Sequence, residues 1–255
     1  MRVLLTNDDG VGSPGLRALA EVFAADCDTA VVAPEHERSA TGHAITLHKP
    51  LRARPVTTYP AGVTAWATNG TPADCVILGV LELLHQRPDV VVSGINVGAN
   101  LGRDLTYSGT VSGAMEAAIL GIPGIAVSVA SFEDVRFEVA AGFVRELVRR
   151  MAERTLPGDT LLNVNVPNLP AASLRGVAIT RQSARRYLSS LERRTDPRGL
   201  TYYWLAGRRE PMPDVEGTDA RAVADGFISV TPVHLNMTDD RLLQELRSWN
   251  LTVPR

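Results

Sequence analysis

Apolar positions along the first two-thirds of the chain switch between two patterns, and the switching predicts alternating strands and helices. Short unbroken apolar runs mark the strands: RVLLT at 2–6, TAVVAP at 29–34, DVVVSG at 89–94, GIAVSVA at 124–130 and TLLNVNVP at 160–167. Between them the spacing is helical. Ser13 reads as an N-cap with Pro14 at the first helical position, and Leu16, Leu19, Ala20 and Phe23 follow on one stripe. Thr71 and Pro72 open a second helix with Val76, Leu78, Val80, Leu83 and Leu84 on a broad apolar surface. Thr110 to Leu120 predicts a helix of small residues, and Asp134 to Glu153 a long amphipathic one. The stretches at 43–56 and 62–70 alternate more loosely, as antiparallel strands at a sheet edge would. Continuous β-branched strands separated by helices imply an α/β fold, with a mostly parallel sheet covered on both faces.

Beyond about residue 180 the pattern changes. TRQSARRYLSSLERRTDPRG is arginine-rich, LTYYWLAG predicts a strand, and PMPDVEGTDARAV reads as a loop. GFISVTPVHLNMT alternates like another strand before a short helix from Asp239 to Trp249. The expected organisation is a core over 1–180, with a β-hairpin arm and C-terminal tail over 181–255 as an excursion used in oligomerisation.

Composition narrows the partners. The 255 residues are 45% apolar and 21% charged, enough for one large domain and its excursion. A formal net charge of −2 argues against duplex nucleic acid or an anionic membrane as the main partner. A small phosphorylated ligand stays open. No apolar run approaches the ~18 residues that span a bilayer. No charged-then-apolar leader opens the chain, so the expected compartment is the cytoplasm. Cys27 and Cys75 are predicted to be small buried apolar residues rather than a disulfide.

In such sheets ligands bind beyond the carboxyl ends of the strands, near a switch in strand order. The loops TNDDG (6–10), APEHERSATG (33–42) and SGINVGANLG (93–102) should therefore gather on one edge. Asp8 and Asp9 are adjacent carboxylates, and a divalent cation would relieve their repulsion. Hard oxygen donors with no cysteine and no histidine pair suit Mg²⁺ or Mn²⁺. An Asp-Gly turn with one solvated carboxylate is the alternative. In the second loop Ser39, Thr41 and Gly42 offer hydroxyls and N–H groups, and His36 and Arg38 could pair with a phosphate; taken alone, the loop reads more readily as a solvated turn with Arg38 at the surface. The third loop carries more. Its glycines follow neither G-x-G-x-x-G nor a Walker spacing. Asn96, Asn100, Arg103 and Asp104 argue against a membrane helix seam. YSGTVSG instead runs into a helix, so Ser108, Gly109 and Thr110 would present N–H groups and hydroxyls at its N-terminus, a ready phosphate site. A plain packing loop remains the alternative. Cation and phosphate on one edge point to metal-assisted phosphoryl transfer to water.

The same pieces carry a family resemblance. TNDDG, RSATG (38–42), GTPADCV (70–76), SGINVGANLG, YSGTVSGAMEAA (107–118), NVNVP (163–167) and GTDARAVADGFISVTPVHLNMT (217–238) occur in order over nearly the whole chain. In these motifs the sequence resembles the SurE family, stationary-phase survival proteins that act as metal-dependent nucleotidases. The resemblance implies a Rossmann-like three-layer core in which Asp8, Asp9, Ser39 and Asn96 bind one divalent cation per subunit. Ser108, Gly109 and Thr110 would sit against the substrate phosphate with Asn96 orienting it. Asp8, Asp9 and Asn96 would be catalytic, with either aspartate taking a proton. The implied activity is hydrolysis of nucleoside 5′- and 3′-monophosphates, with some polyphosphate cleavage. The implied assembly is a homodimer or homotetramer that exchanges a C-terminal segment. The family's usual Glu-Gly after the small-residue helix is here Glu116-Ala117, and its Asp-Leu-Thr near the end is Asn236-Met237-Thr238. Residues 132–160 and 184–215 match only loosely, so the resemblance implies no substrate contacts there.

Two rival readings differ in kind. A phosphate-dependent switch of the receiver type wants an aspartate after its third strand and a later lysine. Here that strand ends in Ser93-Gly94 and the only lysine is Lys49. An arginine-rich RNA binder would draw on 181–209, whose charge is offset elsewhere.

Overall fold

The computed structural model describes residues 1–154, 156–184, 187–209 and 215–253. In β1 (Arg2–Thr6), Val3, Leu4 and Leu5 are all buried because both faces of the strand are covered. Side chains alternate across a strand, so Val3 and Leu5 join one core and Leu4 the other. The first core packs α1 (Pro14–Phe23) and α4 (Glu138–Met151) on one face through Leu16, Phe23 and Val144. The second packs α2 (Pro72–Leu78) and α3 (Gly109–Ile119) on the other through Val76 and Ala117. Ser13 caps α1 by accepting the Leu16 N–H, and Thr71 with Asp74 closes a capping box on α2.

β1 pairs in parallel with β2 (Asp28–Pro34) on one side and β5 (Val90–Val97) on the other. The sheet continues outward through β4 (Thr64–Thr68) beyond β2, and through β6 (Gly124–Val129) and β7 (Thr160–Val166) beyond β5, all parallel. Strand order therefore reverses between β1 and β5. That switch point opens a crevice at the carboxyl ends. β3 (Ala53–Val56) closes one edge antiparallel to β4. β11 (Ile228–His234) pairs antiparallel with β7, and β8 (Val177–Ile179) pairs in parallel with β11. The α/β core with its mostly parallel nine-stranded sheet is the architecture the hydrophobic pattern implied.

Several boundaries differ from that pattern. β5 runs on through Gly94 to Val97, with a register shift against β6 between Ser93 and Asn96. α4 starts at Glu138 rather than Asp134, because Asp134 takes a left-handed φ of 46° that a helix cannot contain. α2 ends at Leu78 and passes into one wide turn over Gly79–Leu83. Of the stretches at 43–56 and 62–70 only β3 and β4 are strands, and β4 lies parallel to β2. β8 and α5 (Asp219–Ala224) occupy stretches with no predicted element.

The expected hairpin is present. β9 (Tyr187–Thr195) and β10 (Thr201–Arg209) pair antiparallel as a separate two-stranded sheet. The chain then returns to the main sheet as β11 and ends in α6 (Asp240–Ser248), which has no buried residue. Positions 211–214 of the predicted loop lie outside the described residues. Cys27 and Cys75 are unpaired, Cys75 fully buried and Cys27 partly so. Among the described residues no helix is long and apolar enough to cross a membrane.

Candidate active site

The turn after β1 is locked before it reaches the acidic pair. Asn7 Nδ2 donates to Gly10 O at 3.0 Å and to Ser13 Oγ at 2.7 Å, tying the turn to the cap of α1. Held this way, the two aspartates line different cavities. Asp8 shares one of about 590 Å³ with Ser39, Asn96 and Ser108. Asp9 shares a neighbouring one of about 490 Å³ with Glu35, His36, Glu37 and Val97.

Asp8 is the better anchored. Its Oδ1 accepts the Thr110 hydroxyl at 2.6 Å, and its carbonyl accepts the Arg38 N–H at 2.7 Å, drawing in the loop that carries Ser39. α3 begins directly against it. A Cβ at Gly109 would lie 2.8 Å from Asp8 Cβ and 2.9 Å from its Oδ2, so only glycine lets the helix approach so closely. Ser108 is the N-cap of α3 and its Oγ accepts the Val111 N–H at 3.1 Å. Asn96 occupies the end of β5, where its Nδ2 donates to Gly98 O at 2.7 Å and leaves Oδ1 as the acceptor for a ligand. Ser39 Oγ donates to Glu37 Oε1 at 2.5 Å.

Asp8, Ser39, Asn96 and Ser108 thus share one cavity, Asp9 borders it in sequence, and Gly109 and Thr110 lie beside Asp8. The Thr110 hydroxyl, read from sequence as a phosphate donor, is here engaged with Asp8. His36 faces the Asp9 cavity, and Arg38 turns its guanidinium to Asn69 O.

The charge balance of the pair is unfavourable without a cation. Burial pushes the Asp9 carboxyl up to about 7, and the charges of Asp8 and Glu37 push it the same way. Burial also raises Asp8, against the hydrogen bond from Thr110. Asp9 Oδ2 is buried with no hydrogen-bond partner among the described residues. Such an oxygen costs free energy unless a donor or cation meets it. Among the described residues no three of His, Cys, Asp and Glu cluster as metal ligands. The available donors are two carboxylates, a hydroxyl and an amide oxygen, all hard, and this set fits Mg²⁺ or Mn²⁺.

The sequence reading missed a supporting network. Asn165 Oδ1 accepts the Asn100 N–H at 2.8 Å, while Asn163 and Asn165 both donate to Asn100 O at 2.9 and 3.0 Å. Asn100 Nδ2 reaches Ser128 Oγ at 2.8 Å. Asp219, wholly buried, accepts the Gly102 N–H at 2.9 Å and the Ser183 N–H at 3.0 Å, joining the loop after β5 to the base of the arm. The signal was available: two asparagines, i and i+2, stand in the otherwise apolar strand LLNVNV.

A mostly parallel sheet that sets an acidic pair against a helix N-terminus at its switch point is an arrangement in which α/β enzymes bind phosphorylated small molecules. Comparison with known proteins narrows the class. The family model described as Survival protein SurE matches residues 3–189. The chain belongs to the SurE family. It is 52% identical over 256 residues to a protein of Geobacter sulfurreducens named 5′-nucleotidase SurE, covering all of this chain and 96% of that one. A protein of the same name from Heliobacterium modesticaldum is 51% identical over 249 residues, covering 98% of this chain and 92% of that one. The crystal structure of the SurE protein from Aquifex aeolicus superposes with a TM-score of 0.85 at 42% identity, covering 98% of this chain and 100% of that one.

Proposed function

We propose that this chain hydrolyses nucleoside 5′-monophosphates to nucleoside and phosphate, with 3′-monophosphates and short polyphosphate as further substrates. One divalent cation, Mg²⁺ or Mn²⁺, is held by Asp8, Asp9, Ser39 and Asn96. The observation that carries the reading is the acidic pair, raised by burial and partly unsatisfied, directly against the N-terminus of α3. The relatives named 5′-nucleotidase SurE support it.

When bound, the cation supplies Lewis acidity toward a phosphate oxygen and lowers the pKa of a bound water. The chain does the rest. Thr110 fixes Asp8 through Oδ1, so that its other oxygen is directed toward the ligands. Ser108 and the N-terminal N–H groups of α3 bind the phosphate. Asn96 presents Oδ1 from the rigid end of β5. Asp9 keeps a buried oxygen with no hydrogen-bond partner among the described residues, which a cation would satisfy, and either aspartate could take the proton of the attacking water.

The assembly we propose is a homodimer or homotetramer in the cytoplasm. Exposed Tyr203 and Trp204 on β10, with Trp249 and Leu251 at the end of the chain, offer apolar area to a second copy. Two unpaired cysteines favour a reducing compartment. The test is phosphate release from a panel of nucleotides and polyphosphate, using chelator-stripped protein with single metals added back. Release restored by Mg²⁺ or Mn²⁺ is expected; undiminished release after stripping overturns the reading.

A further inference from the structure

The Asp8 cavity is polar around its anchoring groups and apolar at its mouth. Three large side chains from separate elements line it: Tyr107 in the turn before α3, Phe132 after β6 and Leu205 on β10. They are 68%, 65% and 72% exposed. Scattered apolar side chains on a surface need no explanation, but three around one cavity mark a binding patch. Phe132 is also held in place. A Cβ at Gly98 would come within 2.6 Å of its Cε1, so the ring rests on the Gly98 backbone. Gly98 is the residue whose carbonyl holds the Asn96 amide. Tyr107 directly precedes Ser108. The aromatic groups are therefore set beside Asn96 and Ser108, which line the same cavity.

We infer that Phe132 is the platform on which the substrate's nucleobase stacks, with Tyr107 and Leu205 completing the apolar mouth; this rests on the nucleotidase reading above. The occupant follows from what is joined to what. A phosphate at Ser108 would leave its sugar and base in the same cavity, which Phe132, Tyr107 and Leu205 line. A cavity of about 590 Å³ lies within the range that holds a small-molecule ligand. Every base has a π face, so stacking discriminates nucleotides from base-free phosphate esters and hardly distinguishes one base from another.

The experiment compares adenosine 5′-monophosphate with ribose 5-phosphate on three proteins: wild type, Phe132→Leu and Phe132→Tyr. Leucine keeps apolar bulk against Gly98 and loses the stacking face; tyrosine restores the ring. In Phe132→Leu the preference for the nucleotide, as the ratio of kcat/KM values, should fall roughly tenfold. Most of the loss should lie in KM, as expected for an interaction made equally in ground and transition states. Phe132→Tyr should recover it. Equal losses on both substrates would make Phe132 a mere support for the Gly98 backbone and overturn the proposal, as would an unchanged ratio. Calorimetric titration of the same two ligands reads the base contribution without turnover. Wild-type protein that binds the nucleotide more tightly but hydrolyses neither ligand would sink the phosphatase reading and leave the platform standing.

Discussion

The crevice at the ends of β1 and β5 and the arm of β9, β10 and α6 are built by opposite rules. In the crevice the polar groups are tied into the core. Asn7 is bonded to the cap of α1, Asp8 to Thr110, and Asn100 to Asn163, Asn165 and Ser128. Among the described residues β9 and β10 pair only with each other, α6 buries nothing, and Trp204 and Trp249 are exposed. A two-stranded ribbon is marginal alone in water. On the proposed reading the crevice holds its chemistry within one chain, and the exposed apolar residues of the arm are area a second copy would cover.

If the crevice is a preassembled metal site, damage there should be severe for activity. Asp8→Asn should lower kcat/KM at limiting Mn²⁺ by more than the roughly 10- to 100-fold that loss of an outer-shell partner costs. Full activity in that variant would remove Asp8 from the site. Gly109→Ala tests the approach of α3. A Cβ 2.8 Å from Asp8 Cβ must displace the carboxylate or the helix, and a displacement near 1 Å can cost about 10²-fold in rate. Overpacking there should also cost about 1–3 kcal/mol, read by chemical denaturation. Thr110→Val keeps the shape and removes only the 2.6 Å hydrogen bond to Asp8. Its activity should fall about tenfold or more and return in Thr110→Ser. A fall that serine does not reverse would mean that Thr110 acts through packing.

The candidate residues were legible in sequence because adjacent carboxylates, a Ser-Gly-Thr helix start and an apolar strand are local signals. The parallel sheet was readable for the same reason: each strand is a short apolar run whose burial on both faces leaves no polar alternation. What stayed hidden is non-local. β5 looks finished at Gly94, yet pairing with β6 carries it to Val97 and places Asn96 within a strand. α5 is six residues long, too short for a helical period to show, and exists where Asp219 is bonded to Gly102 and Ser183. Phe132 and Leu205 lie in the stretches that resemble the family least. Only the fold brings them to the mouth of the Asp8 cavity.

The raised carboxylates give the crevice a pH signature the arm lacks. Asp9 titrates near 7 in the metal-free fold and near 3.8 in an unfolded chain, so between those values the folded state binds more protons. Stability of metal-free protein should then fall as pH rises from about 4 through 7. If a cation replaces those protons, the rise in Tm on adding Mn²⁺ should be larger at pH 8 than at pH 5. Asp9→Asn should flatten the metal-free pH dependence. Equal Mn²⁺ shifts at both pH values would contradict the assignment of the raised carboxyl to the cation site.

The smallest effect on the single chain is expected in the arm. Trp204 is 59% exposed on a ribbon that, among the described residues, pairs with no other strand, so Trp204→Ser removes little buried area within the chain. At concentrations where the protein is monomeric, its unfolding free energy should stay within about 0.5 kcal/mol of the parent, as for other surface substitutions. At higher concentration the variant should shift toward monomer in sedimentation, because the lost area then belongs to a contact between copies. A large loss of monomer stability would show that the ribbon packs on its own core, and the division of labour between crevice and arm would fail.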